Sequence, residues 1–115
     1  MNLKQNATLM KNQTFGVEIE MSHISPRNVS AIVQDYFNEK YGLENENYYE
    51  GSHLHNYVAE DHKGRKWNAY SDCSISGADT AELVTPILTY EDIEDLQEIV
   101  RLLRQNGAIS DAQHM

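Results

Sequence analysis

The chain has 115 residues, with 18 acidic side chains against 9 basic ones and a formal net charge of −9, which is one domain's worth of sequence. Its 40% apolar content, set in periodic runs, excludes a disordered chain, and no stretch of about 18 uncharged apolar residues exists to form a membrane-spanning helix. One cysteine, Cys73, excludes an intramolecular disulfide and fits a reducing compartment, and so acidic a surface disfavours direct nucleic-acid binding by repelling phosphates.

Residues 1–13 are polar and aperiodic and form a loose lead-in. They contain no apolar core of signal-peptide length, which points to the cytoplasm. Residues 14–115 are expected to form a single domain. From Phe15 the pattern alternates: Phe15, Val17, Ile19 and Met21 point one way, Glu18 and Glu20 the other, as in a half-buried strand. Ser25-Pro26 is an N-cap followed by proline at the first helical position. Val29, Ile32, Val33, Tyr36 and Phe37 then make the buried stripe of a helix ending near Gly42. Residues 44–55 are polar, acidic and tyrosine-rich, with no clear period. Asn56–Glu60 and Arg65–Tyr70 read as two strands joined by the turn Asp61-His62-Lys63-Gly64. A small polar loop, Ser71–Thr80, leads to an apolar strand, Ala81–Thr85, stopped by Pro86. Thr89 and Asp92 have capping-box spacing. Ile93, Leu96, Ile99, Val100, Leu102 and Leu103 build a second helix that stops at Asn106-Gly107. The order β-α-β-β-β-α predicts an α+β fold, a mostly antiparallel sheet with both helices on one face.

The charge is concentrated. Between Trp67 and Val100 stand eight acids (Asp72, Asp79, Glu82, Glu91, Asp92, Glu94, Asp95 and Glu98) and no Lys or Arg. Glu18 and Glu20, at i and i+2 on a strand, project from one face roughly 7 Å apart. Carboxylates that close repel unless a cation lies between them, and Mg²⁺ takes oxygens in this way. A simply solvated strand face has the same spacing. Glu82 sits inside an apolar run, where a carboxylate needs a partner or a metal; alternation with Val84 on an outer face is the plainer alternative. Asp72 follows a strand and could cap a turn. His53 and His55 are a weak metal pair without a third ligand. Cys73 has no group beside it to lower its pKa and reads as packing. The tyrosine-rich stretch from Tyr48 to Tyr57 is an interface candidate.

Three segments in this order resemble one family: Phe15-Gly-Val-Glu-Ile-Glu20, Trp67-Asn-Ala-Tyr-Ser-Asp72-Cys-Ser-Ile75, and Glu82-Leu-Val-Thr-Pro86, followed by the helix from Ile93 to Leu103. Together they resemble the N-terminal part of the amidoligases, relatives of glutamine synthetase and glutamate–cysteine ligase. The resemblance implies half of an amidoligase domain and an ATP- and Mg²⁺-dependent carboxylate–amine ligase. By it, Glu18, Glu20 and Glu82 would hold metal and Asp72 would serve substrate or structure. The family's later histidine-rich strand has no counterpart before Met115, and no basic glycine-containing segment is left to hold phosphates. The chain is therefore expected to be either a ligase fragment or a natural short protein without catalysis.

Three functional expectations follow. The first is a non-catalytic acidic binding protein, from a phage or mobile element, that blocks the basic nucleic-acid channel of an enzyme in the manner of anti-CRISPR proteins. It needs no cofactor, and its partner-binding acids would be Glu91, Asp92, Glu94, Asp95 and Glu98 at the start of the second helix. The helix dipole gives the first of these acids a structural reason as well. The second is a fragment of the Mg²⁺-dependent ligase. The third is a weak nuclease in which the three sheet carboxylates hold Mg²⁺.

Overall fold

The computed structural model describes residues 13–51, 56–71 and 80–107. Strand β1 (Glu18–Ser22) leads through His23, in the left-handed region at φ 65°, to helix α1 (Pro26–Tyr41). Ser25 caps that helix, its Oγ accepting from Asn28 N at 3.2 Å. Gly42, at φ 69°, ends it in the left-handed conformation that glycine adopts without a Cβ penalty. Strands β2 (Tyr48–Tyr49), β3 (Tyr57–Glu60), β4 (Lys66–Ser71) and β5 (Thr80–Val84) follow, and one tight helical turn (Tyr90–Asp92) opens helix α2 (Ile93–Gln105). The sheet order is β1-β5-β4-β3-β2, and every pairing is antiparallel.

The α+β architecture expected from the sequence is the one observed. The sheet has one strand more than expected. β2 consists of two exposed tyrosines, too short to leave a period in the sequence. β1 also begins later than the alternation from Phe15 suggested. Val17 still exchanges hydrogen bonds with Thr85, and Phe15 with Leu88, but Pro86 stands between the two rungs. Proline has no N–H to give the ladder, so the pairing bulges there and leaves Ile87 67% exposed.

Ile19 and Met21 of β1, Ala69 and Trp67 of β4, and Ala81 and Leu83 of β5 form one face of the sheet. They pack with Val29, Val33 and Phe37 of α1 and Leu96, Ile99 and Leu103 of α2. Each such large side chain contributes roughly 1.5–3 kcal/mol on burial. Phe37 lies 5.2 Å from Trp67, ring centroid to centroid, at the centre of this layer. Both helices thus share one core with one sheet face.

A polar ladder also runs along α1, at Ser30, Gln34 and Asn38. Asn47 donates to Ser30 Oγ at 2.8 Å, and Asn38 donates to Asn45 O at 2.7 Å, so the segment after α1 is tied back onto the helix. The Gln34 amide donates to Glu60 O and accepts from Glu60 N, each at 2.9 Å. Gln34 is 2% exposed, and its amide satisfies both backbone groups of Glu60 where β2 no longer reaches. Among the described residues no helix is long and apolar enough to cross a membrane.

Candidate functional site

The face of the sheet away from the helices carries the even-numbered residues of β1, β4 and β5. Register brings the three sheet carboxylates together there. Glu20 is the direct cross-strand partner of Glu82, and Glu18 stands two residues along β1 on the same face. Directly opposed residues have Cβ atoms about 4.5–5.5 Å apart, where like charges destabilise the pair. Glu18 and Glu20 are exposed and Glu82 is half-buried. The Glu20–Glu82 row continues into Tyr70, and the Glu18–Val84 row into Asn68. Next to the Glu18, Glu20 and Glu82 carboxylates the β4 residues are thus neutral hydrogen-bonding side chains, and further along β4 the same face carries Lys66 opposite Glu60 of β3. Among the described residues, Lys66 is the one Lys or Arg carried by the five strands, and it faces Glu50 at 3.6 Å.

As a donor set these carboxylates suit a hard divalent cation, which takes several oxygens. They share a face and a row, but no group of three or more His, Cys, Asp or Glu side chains converges to metal-binding distance among the described residues. Asp72, His53, His55 and Cys73 lie outside the described residues, as do residues 1–12 and 108–115.

The acids of α2 and of the turn before it, which the sequence assigned together to a basic partner, divide into two groups. Asp92 and Asp95 are each 3% exposed and turn inward. Arg65 donates to both Asp92 oxygens, at 3.0 and 2.9 Å, and through Nε to Asp61 at 2.8 Å. Thr89 N also donates to Asp92, at 2.7 Å, completing the capping box read from the sequence. Asp61 accepts further from the Lys63 and Arg65 amides and from the Trp67 indole, at 2.9, 3.0 and 2.9 Å. Burial works to raise the Asp92 carboxyl, but Arg65 and the Thr89 amide outweigh it and hold the pKa at about 2.

Asp95 forms the second inward cluster. It accepts from Tyr36, Tyr41 and Lys40, each at 2.6 Å. Burial again opposes ionisation, and these three donors hold the carboxyl below its ordinary value. Tyr36 is pushed up by burial and by Asp95, and Lys40 is pushed up by its bond to Asp95. His62 stacks on Tyr41 with centroids 3.8 Å apart and rings 8° from parallel.

Asp92 and Asp95 therefore have the protein itself as partner. Glu91 and Glu94 are exposed, and Glu98 pairs with Arg101 on the surface. The inward turn had a sequence signal. Asp92 stands four residues before Leu96, and Asp95 four before Ile99, so both lie on the apolar stripe. The cross-strand pairing that sequence spacing missed is Glu20 with Glu82, because register is set by the closure of β1 on β5, 62 residues apart.

A family model described as "Putative amidoligase enzyme" matches residues 11–115. No curated protein and no solved structure matches the chain.

Proposed function

The chain belongs to the amidoligase family, and on that premise we propose that its open sheet face is the metal-holding part of an ATP- and Mg²⁺-dependent carboxylate–amine ligase site. The observation that carries this is the direct opposition of Glu20 and Glu82 with Glu18 beside them. Those three residues would hold the ion, which supplies charge neutralisation for a phosphoryl group in transfer. The residues of this chain do the rest by position. Glu20 and Glu82 sit on neighbouring strands of a packed sheet, so their spacing is fixed before any cation arrives. A positive charge between them would favour both ionised forms at once. Tyr70 and Asn68 bound the acidic patch with neutral groups, which leaves the cation one place to settle.

Among the described residues the strands carry no cluster of bases to clamp phosphates, so those donors are assigned to groups outside this face. The lone cysteine fits a reducing compartment, where ATP and Mg²⁺ are at hand. An inhibitor that meets a basic surface has less behind it, because two of its five expected contact acids are buried in ion pairs.

Calorimetric titration with Mg²⁺, and with Mn²⁺ as a paramagnetic probe, tests the proposal. Glu20→Gln and Glu82→Gln are expected to weaken binding by at least roughly tenfold, since lost outer-shell partners already cost that much. Wild-type affinity in both variants, or no binding by the wild type, would overturn it. ADP release that depends on both a carboxylate and an amine would extend it to catalysis.

A further inference from the structure

An open cleft of about 470 Å³ lies between α1 and the β2–β3 edge, on the tyrosine-rich stretch that the metal face does not use. Tyr49 and Tyr57 line it, with ring centroids 5.2 Å apart and planes inclined by 50°. Asp35 and Glu46 line it too, both exposed. Among the described residues neither carboxylate has an ion pair or hydrogen bond of its own. The amides in its wall, Gln34 and Asn47, are already engaged in the polar ladder of α1. Arg27 stands eight residues before Asp35, about 12 Å along the helix axis, with its carbonyl accepting from Asn47 beside Glu46. That separation is too far for Arg27 and Asp35 to neutralise each other.

What the cleft presents to a ligand is the paired Tyr49 and Tyr57 rings, two carboxylates and one guanidinium. Tyrosine faces attract cations through the ring quadrupole, and the carboxylates add charge of the same preference. We propose that this cleft binds a lysine or arginine side chain of a partner polypeptide, with the cation against Tyr49 and Tyr57 and within the field of Asp35 and Glu46. Arg27 makes a chain of several cations a poorer fit than one cation on a neutral peptide. The site lies apart from the Glu20–Glu82 row and does not depend on metal there.

Amide NMR titration of the full chain with Ac-Gly-Arg-Gly-NH₂, against Ac-Gly-Gln-Gly-NH₂ and spermidine, tests this. The arginine peptide is expected to shift resonances at Arg27, Asp35, Glu46, Tyr49 and Tyr57, and the glutamine peptide to leave them in place. Asp35→Asn, Glu46→Gln and Tyr49→Ala are each expected to weaken binding by about fivefold. All three positions are exposed, and the dispersion of the same spectra verifies folding. A Glu91→Gln/Glu94→Gln control is expected to bind as wild type, and Mg²⁺ affinity is expected to be unchanged in all variants. Equal shifts with the glutamine peptide, tighter binding of spermidine, shifts spread over the other acidic surfaces, or no shift at all would each overturn the proposal. None of these outcomes bears on the metal face.

Discussion

Two groups of carboxylates in this molecule look alike in sequence and behave oppositely in the fold. Asp61, Asp92 and Asp95 are buried and receive donors from Arg65, Lys40, Trp67, two tyrosines and backbone amides. Glu18, Glu20 and Glu82 share one sheet face, where the nearest neighbour across the ladder of Glu20 is another carboxylate. The first group is answered by cations of the chain itself. The second sets like charge against like across one rung of the ladder, an arrangement that a bound cation would stabilise. Net charge alone cannot separate the two, and the difference is one of placement rather than of acidity.

The comparison is most open to attack at Arg65, which joins the hairpin turn to the start of α2. Arg65→Ala leaves Asp61 and Asp92 buried without their common cation. A loss of about 3–5 kcal/mol is expected in urea unfolding, the range for breaking one side of a buried pair. A loss below about 1 kcal/mol would mean that these acids do not depend on it.

Asp92 gives the next effect. Its folded pKa of about 2 lies below the ordinary aspartate value of 3.8, so it stabilises the fold above the unfolded pKa. That contribution, on the order of 2 kcal/mol, is lost as pH falls from about 4 towards 2. Acid unfolding of Asp92→Asn, followed by circular dichroism, is expected to show a flatter slope across that window than wild type.

The sheet acids should respond with the opposite sign. Glu82→Gln or Glu20→Gln removes an opposed like charge and is expected to raise metal-free stability by about 0.2–1 kcal/mol, read from the urea midpoint. Destabilisation of similar size would place Glu82 with the structural acids. The smallest effect is expected at Glu98 and Arg101, an exposed pair one helical turn apart. Glu98→Gln should leave the Tm unchanged within error.

Much of the framework was legible because it rests on local chemistry. Ser25-Pro26, Gly42, the turn around Gly64 and the Thr89–Asp92 box each encode a chain reversal or a helix end within a few residues. The apolar periods of α1 and α2 named their buried faces. The ion-pair partners were not legible, since Arg65 meets Asp92 across 27 residues and Lys40 meets Asp95 across 55. Those meetings exist only once α1, α2 and the hairpin have docked. Grouping the five helix acids as one partner-binding set weighed charge before position on the helical wheel, which turns Asp92 and Asp95 inward. The sheet carboxylates were named correctly as sharing a face, but which pair stands opposed depends on register.

The Gln34 amide has a consequence for how the fold can come apart. A strand that outruns its neighbour normally offers an unpaired backbone edge to any passing chain. Here a helix side chain occupies that edge at Glu60, so the edge cannot open to a stranger while α1 stays seated. Peeling of α1 and exposure of β3 are thereby made one event. Exchange of the Glu60 amide with solvent should then follow the opening of the helix rather than fraying of the strand.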